Sequence, residues 1–143
     1  MRVVGRDYIL KITDQEFYDS VFNIRKRYFM AGKPTEIGRG NTVLFVMKKG
    51  DAAYIVVGDG KVSGVRILEP FDKDYTFASE HDWKFVVEFE ELRKYSVEVL
   101  ADNVFSPAIL DKIRSQRPFG IDLLPEESRR AKQKINELLT SAS

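Results

Sequence analysis

The segment of residues 42–68 constrains the fold more than any other part of the sequence. Residues 42–47 are rich in β-branched and aromatic side chains, which predicts a β-strand. Residues 52–57 predict a second strand after a turn at Gly50, and residues 61–68 predict a third. Strands joined by such short connections pair antiparallel with their neighbours in sequence. We therefore expect an antiparallel β-meander in the middle of the chain.

The pair Asp59-Gly60 separates the second and third predicted strands. An Asp-Gly pair supplies the positive φ angles that a tight hairpin turn requires, so a turn is the first interpretation. A continuous strand with a bulge is the alternative, because glycine also marks bulges. The glycines here do not form a nucleotide-binding P-loop, since Ile55 occupies the position of its first glycine and Val62 replaces its magnesium-binding Ser or Thr.

The residues before the meander predict a strand and then a helix. Apolar and polar side chains alternate over residues 7–12, as in a strand with one buried face. Thr13 and Glu16 have the spacing of a capping box, in which both side chains accept hydrogen bonds from free N–H groups at the helix start. The helix that follows carries one apolar stripe at spacings of three and four residues: Phe17, Val21, Ile24 and Tyr28.

The second half of the chain predicts two more strands. Residues 83–89 and 95–100 alternate in polarity, and residues 90–94 are interpreted as the connection between them. A long polar loop, residues 69–82, precedes these strands and contains several aromatic residues.

Two proline-led helices are predicted near the end of the chain. Ser106 followed by Pro107 begins one helix, because serine caps and proline needs no N–H in the first turn. Pro125 followed by two glutamates begins the last helix in the same way. Five or six strands with helices between and after them indicate an α+β fold, a small closed or half-closed barrel. The length fits a single domain of residues 1–143.

The residue types that are absent exclude several kinds of site. The chain has no cysteine, which excludes disulfides, thiolate zinc sites and cysteine nucleophiles. His81 is its only histidine and has no apparent partner for a metal site or a catalytic constellation. We therefore favour a non-enzymatic role without catalytic residues, metal or cofactor. No apolar run approaches the roughly 20 residues of a transmembrane helix, and residues 1–5 are too short for a signal peptide, so we expect a cytoplasmic protein.

Cations and aromatic residues are interleaved near the end of the first predicted helix. The net charge is only +1, so an anionic partner would have to bind a local cluster of cations. Such a cluster contains these side chains: Arg25, Lys26, Arg27, Tyr28, Phe29, Lys33 and Arg39. Cations neutralise phosphates and aromatic faces stack on bases, so this interleaving favours binding of single-stranded or flipped-out nucleotides. The other interpretation, cations matched to the helix dipole beside two core aromatics, stays open at this point.

Four stretches of the sequence together resemble one known family. They are residues 8–13, which lead from a strand into a helix; 38–46, a glycine-containing turn and strand; 61–65, the next strand; and 119–127, an aromatic-glycine turn before a proline-led helix. In this order they resemble the EVE domains of the PUA-like superfamily, relatives of the ASCH and YTH domains. The sequence departs from that pattern at Tyr8, where tryptophan is commoner, and at Asn41, where aspartate is usual. The resemblance implies a small PUA-like β-barrel of mostly antiparallel strands with about three flanking helices.

The resemblance also implies a pocket between the barrel and its helices, where relatives hold modified bases of DNA or RNA. Carried onto this sequence, the base-binding residues would be Thr13, Tyr28, Phe29 and Phe45. The phosphate-binding residues would be Arg25, Arg27, Lys33 and Arg39. A flipped base needs an aromatic wall and polar groups at its Watson–Crick edge, which these positions can supply. Our leading hypothesis is a nucleic-acid-binding module for RNA or DNA, which reads a modified base in its most specific form.

Two other functions stay open. Lys33 and Thr35 are similar to the Lys-Thr pair of ASCH domains, which implies a small hydrolase acting on a modified nucleoside, with Glu36 as its acid. The third hypothesis is a protein-interaction or small-ligand module, in which the acidic face and the loop of residues 71–77 bind the partner.

Overall fold

One mixed β-sheet forms the centre of the molecule. The computed structural model describes residues 6–32, 37–50, 53–115 and 120–141. Within these ranges six strands form the sheet: β1 (Asp7–Ile12), β2 (Arg27–Met30), β3 (Thr42–Lys49), β4 (Ala53–Ile67), β5 (Phe85–Leu100) and β6 (Ile121–Leu123). Their order is β2-β5-β4-β3-β1-β6, and β1 and β3 run parallel while the other neighbours are antiparallel.

Helices cover both faces of this sheet. They are α1 (Gln15–Asp19), which continues into a π-helical turn (Ser20–Ile24), α2 (Tyr75–Glu80), α3 (Pro107–Arg114) and α4 (Pro125–Ser141). The predicted starts of α3 and α4 are confirmed, and Ser106 Oγ accepts a hydrogen bond from Ile109 N at 3.4 Å. None of the helices in the described ranges is long and apolar enough to cross a membrane.

The curled sheet separates two hydrophobic cores. We call the core on the α1 side of the sheet the inner core and the core on the α3 and α4 side the outer core. Successive side chains of a strand point to opposite faces, so Phe45 lies in the inner core and its neighbour Leu44 in the outer core. Helix α1 contributes Phe17 to the inner core, while α3 and α4 contribute Ile113 and Ile135 to the outer core. This half-barrel with flanking helices confirms the predicted α+β fold. The central strands are antiparallel as predicted, but residues 42–68 form two strands, β3 and β4, instead of three, and β5 is the third strand of the meander.

The first helix is shorter than its apolar stripe predicts. Helix α1 ends at Asp19, and after the π-helical turn Lys26 adopts a left-handed φ of 58° that ends helical geometry. The chain then forms the edge strand β2, where Tyr28 pairs with Val87 of β5. Ile24, expected on the buried stripe, is 66% exposed. A helix through Tyr28 was wrong because β2 buries three consecutive side chains, which a helix would spread around its axis.

The N-cap of α1 is Asp14, one residue after the predicted cap Thr13. Asp14 Oδ1 accepts a hydrogen bond from Phe17 N at 2.8 Å, whereas Thr13 is exposed. A carboxylate suits this position because it also faces the positive end of the helix dipole.

Asp59-Gly60 is not a hairpin turn. Strand β4 runs through both residues, and Asp59 pairs with Leu44 on β3 and with Arg93 on β5. The register of both ladders shifts within three residues of Gly58, so β4 is the continuous bulged strand that formed the alternative prediction.

The glycines of β4 provide space rather than positive φ. A Cβ atom on Gly58 would lie 2.4 Å from the carbonyl oxygen of Arg93 and 2.6 Å from the ring of Phe22. A Cβ atom on Gly60 would lie 2.7 Å from the ring of Phe89. The Asp-Gly pair misled the prediction because close packing and turn geometry both require glycine.

Residues 90–94 continue β5 instead of connecting two strands. Lys61 pairs with Glu91 in the β4–β5 ladder, and Lys61 Nζ lies 3.4 Å from Glu90 Oε1. The polar composition that suggested a connection reflects solvent-exposed positions on this part of the strand. The predicted loop of residues 69–82 is also wrong in part, since it contains helix α2.

Candidate functional site

A chain of aromatic rings runs from the inner core to its surface, and we call it the ring chain. Trp83 stacks on Phe29 with centroids 6.2 Å apart, and its ring lies 5.1 Å from that of Phe17. Phe17 lies 5.1 Å from Tyr28, whose ring is 6.0 Å from that of Phe45. Trp83 is half-buried, while the other four rings are at most 7% exposed. The ring chain therefore forms a continuous apolar path from Phe45 to the surface.

Three of the four residues predicted to bind a base belong to the ring chain. The rings of Tyr28 and Phe45 lie side by side. Phe29 is connected to them through the rings of Trp83 and Phe17. The Tyr28 hydroxyl donates to the carbonyl oxygen of Lys11 at 2.6 Å, and burial raises the pKa of Tyr28. These rings are packed core in this structure, and their contact with a base stays a prediction.

Thr13, the fourth predicted base-binding residue, is exposed between β1 and α1, four residues before Phe17. Its role toward a base also stays a prediction.

Sequence reasoning did not assign Trp83 to the site. It is the only tryptophan in the chain and follows the polar stretch that contains His81. The exposed His81 ring stacks on Trp83 with centroids 4.4 Å apart and an interplanar angle of 21°. A lone tryptophan beside a polar loop was the available signal, because tryptophan is enriched at binding interfaces.

Arg27, predicted to bind phosphate, contacts three carboxylates. Its Nη1 atom lies 3.0 Å from Asp72 Oδ1 and 3.2 Å from Asp74 Oδ2, and its Nη2 atom lies 3.1 Å from Glu88 Oε2. Arg66 contacts two of the same acids, with 2.6 Å to Asp72 and 2.9 Å to Glu88. These side chains form a network that fastens the start of α2 to strands β2, β4 and β5, and we call it the arginine–carboxylate network.

Arg25 lies beside this network and is stacked on a ring. Its guanidinium carbon lies 3.4 Å above the centre of Phe77, and its Nη1 donates to Ser20 Oγ at 3.2 Å. Its Nε is buried without a hydrogen bond, 3.5 Å from Asp74 Oδ1. To bind a phosphate, Arg25 and Arg27 would have to give up their contacts with carboxylates. Their phosphate-binding role stays a prediction.

The other two predicted phosphate ligands differ in position. Arg39 is exposed in the turn before β3 and pairs with no carboxylate among the described residues. Lys33 lies outside the described residues, together with Thr35 and Glu36 of the hydrolase hypothesis. Within the described ranges no group of three or more metal-ligating side chains is placed to hold a metal ion.

Comparison with known proteins gives likeness in structure but not in sequence. No family model and no curated protein matches the sequence. The N-terminal domain of McrB from Thermococcus gammatolerans, in a structure bound to m5C DNA, aligns with 94% of this chain and 99% of its own, with a TM-score of 0.58 and 14% identity.

Two structures of an ASCH protein from Zymomonas mobilis align equally well. The first covers 90% of this chain and 94% of its own, with a TM-score of 0.59 and 10% identity. A mutant form of it covers 94% and 97%, with a TM-score of 0.58 and 14% identity. At such identities the likeness concerns the fold. This chain therefore shares its fold with the McrB domain and the ASCH protein, and a fold of this kind is what the sequence resemblance to EVE domains and their ASCH relatives implied.

Proposed function

We propose that the chain is a nucleic-acid-binding domain in which a base contacts the outer end of the ring chain. The observation that carries this proposal is the half-buried Trp83, which presents part of its ring to solvent and is backed by Phe17 and Phe29. Stacking of a base on such a ring contributes about 1–3 kcal/mol, and the exposed His81 ring, which stacks on Trp83 in this structure, would give way to the base. The fold shared with the McrB domain, which is bound to m5C DNA, supports the same class of ligand.

Two exposed cations that could meet the phosphates border strands β5 and β2. Lys84 follows Trp83 directly and precedes β5, whereas Lys26 precedes the edge strand β2 at its far end from Trp83, next to the pair of Arg27 and Glu88. Both are exposed and pair with no carboxylate in the described part of the chain. With Arg39 they offer three positive charges that need not leave an existing ion pair.

The more specific form of the proposal is recognition of a modified base in DNA or RNA. In it, Thr13 would contact the edge of a base that stacks on Trp83, and Tyr28, Phe29 and Phe45 would form the apolar wall behind. An added methyl group on a base gains little in water but is stabilised against such a wall by about 0.8 kcal/mol. Arg25, Arg27 and Lys33 remain proposed phosphate ligands that would follow the base.

The first test measures binding of fluorescently labelled single-stranded DNA and RNA, with cytosine or 5-methylcytosine, by anisotropy at low salt. We expect Trp83→Ala to weaken binding about tenfold or more, because one stacked base is lost. Trp83→Phe should retain part of the affinity because it keeps an aromatic face. Tyr54→Phe, a change at a half-buried ring on another part of the sheet, is the matched control. The absence of binding to all four oligonucleotides, or equal affinity of Trp83→Ala and wild type, would refute the proposal.

The phosphate contacts are tested by the salt dependence of the same binding. Removal of one phosphate-contacting cation should lower the slope of log K against log salt by about 0.7 for a single strand. We expect this for Arg39→Gln and no change for Arg129→Gln, an exposed arginine on α4. Equal slopes for the two variants would assign Arg39 no phosphate contact.

A further inference from the structure

A cavity lies on the outer face of the sheet, under helix α4. Its volume is about 220 Å³. Its polar lining consists of Thr42, Asp59, Arg93, Tyr95, Lys132 and Asn136, and its apolar lining of Leu44 and Ile135. This cavity, which we call the α4 cavity, contains no member of the ring chain.

The lining residues meet because of the two-residue repeat of the strands, the pairing of those strands and the helical repeat of α4. Thr42 and Leu44 are two residues apart on β3, so they share a face, as do Arg93 and Tyr95 on β5. Asp59 lies between them across the sheet, since it pairs with both Leu44 and Arg93. On α4, Lys132, Ile135 and Asn136 lie at spacings of three and four, which places them on one stripe of the helix.

The polar row interrupts a face that is otherwise apolar. The outer core contains Val46, Val56 and Val99 on the same three strands, all buried. A carboxylate in a central strand costs free energy unless it is paired, and Asp59, whose side chain is 23% exposed, is paired with Arg93. Asp59 also follows directly after the bulge at Gly58, and bulges commonly re-aim side chains beside functional sites. These features are typical of a binding site more than of a core.

The polar side chains retain hydrogen-bonding capacity. Asp59 Oδ2 accepts from Arg93 Nε at 3.1 Å, from Arg93 Nη2 at 2.6 Å and from the Tyr95 hydroxyl at 2.6 Å. Among the described residues, Asp59 Oδ1 has no partner, and neither does Arg93 Nη1. Lys132 Nζ donates one hydrogen bond to Asp7 at 2.9 Å, which leaves two of its N–H groups. The cavity thus offers a free acceptor and free cationic donors side by side.

We propose that the α4 cavity binds a ribonucleoside monophosphate. Arg93 and Lys132 at its rim suit a phosphate group, for which guanidinium and ammonium donors are the usual ligands. The free oxygen of Asp59 suits ribose hydroxyls, which carboxylates bind in other nucleotide sites. The Asn136 amide and the Thr42 hydroxyl can donate to and accept from a base edge, and Leu44 and Ile135 provide the apolar floor. This site lies on the face opposite Trp83 and does not depend on the proposed nucleic-acid binding.

The test is calorimetric titration of the full chain with four ribonucleoside monophosphates, with inorganic phosphate and with the matching nucleosides as separate arms. We expect at least one monophosphate to bind with a Kd below about 1 mM, and to bind at least tenfold more tightly than phosphate or nucleoside. Asn136→Asp, an exposed position, should weaken this binding at least tenfold, because it replaces the amide donor at the base edge with a carboxylate that can only accept. Lys134→Gln, an exposed change on the same helix outside the cavity, should leave it unchanged.

A second variant tests the ribose contact. Asp59→Asn should weaken binding of the monophosphate but not of inorganic phosphate, and Trp83→Phe should weaken binding of neither. The proposal is overturned if no monophosphate binds, if phosphate alone binds as tightly, or if Asn136→Asp has no effect. Weaker binding of the monophosphate to Trp83→Phe would also overturn it, because the nucleotide would then contact the ring chain.

Discussion

Asp7 is the residue at which β1, β3 and α4 are joined by hydrogen bonds. Its carboxylate accepts from Thr42 N at 2.8 Å, from Lys132 Nζ at 2.9 Å and from the buried Ser128 hydroxyl. Burial alone would raise the pKa of Asp7. These hydrogen bonds and the Lys132 charge lower it by more than burial raises it, so the pKa of Asp7 lies below the ordinary value. Asp7 therefore positions Lys132 at the rim of the α4 cavity as well as fastening α4 to the sheet.

Asp72 gives a prediction for the dependence of stability on pH. Burial raises its pKa, but hydrogen bonds from Asp74 N, Arg66 and Arg27 and the charge of Arg27 outweigh this and lower the pKa from 3.8 to about 2. A lowered carboxyl pKa stabilises the fold above pH 3.8, and that contribution is lost as the pH falls toward 2. We expect Asp72→Asn to lower the free energy of unfolding by about 2 kcal/mol at pH 7 and by much less near pH 2.

Urea unfolding of both proteins between pH 2 and pH 7 measures this difference. Asp111→Asn is the control, because its carboxylate is 81% exposed and its contact with Arg114 is 3.9 Å long. A difference between Asp72→Asn and wild type that does not change with pH would contradict the prediction.

Gly58 gives a prediction about packing at the bulge. An alanine methyl group there would overlap the Arg93 carbonyl and the Phe22 ring, and the carbonyl cannot move without breaking the ladder. We expect Gly58→Ala to lower the free energy of unfolding by about 1–3 kcal/mol or more. Gly64→Ala is the matched control on the same strand, since no atom lies within 4 Å of its Cβ position. Equal urea midpoints for the two variants would contradict the role assigned to Gly58.

At the scale of elements, α2 is held in place by charge as well as by apolar contact. Ala78 is the buried residue of this short helix, while the arginine–carboxylate network binds the residues just before it. Helices of this length are not stable alone, so their order depends on tertiary contacts. The position of α2 in turn sets the position of Phe77, which lies 5.8 Å from Trp83.

We therefore predict that Arg27→Gln increases amide hydrogen exchange in Tyr75–Glu80 without comparable change in α4. Three ion pairs to Asp72, Asp74 and Glu88 are lost, so local opening of α2 becomes easier. Arg129→Gln, at an exposed site on α4, serves as the control. Unchanged exchange in α2 would mean that apolar packing alone fixes this helix.

At the scale of the whole molecule, both cores pack against the same sheet. A substitution that destabilises one core should therefore lower the free energy of unfolding of the whole domain. Ile113 is fully buried in the outer core, whereas Trp83 reports on the inner core. We expect Ile113→Ala to lower the urea midpoint of Trp83 fluorescence and of circular dichroism by the same amount, corresponding to about 2–5 kcal/mol. Leu124→Ala, at a half-exposed position, should have little effect. Separate midpoints for the two signals would show two independently unfolding units.

The sequence was sufficient for the α+β class, the meander and the starts of α3 and α4, because each depends on local pattern. It was insufficient where a local signal has two physical causes. Gly58 and Gly60 look like a turn but provide space for Phe22 and Phe89, which are distant in sequence. The α4 cavity was not predicted, since Asp59, Arg93 and Lys132 meet only through the pairing of strands and the crossing of α4.

Strand β1 lies between β3 and β6, and this placement has a consequence for the order of folding. Its partner β6 comes late in the chain: the ion pair that joins the two strands links Arg6 to Asp122, 116 residues away. At synthesis rates of roughly 5–20 residues per second, β1 waits on the order of ten seconds for β6 to leave the ribosome. During that time one edge of β1 is open to pairing with other chains. A fragment that ends before β6 should therefore aggregate during expression, and coexpression of a holdase chaperone should raise its soluble yield.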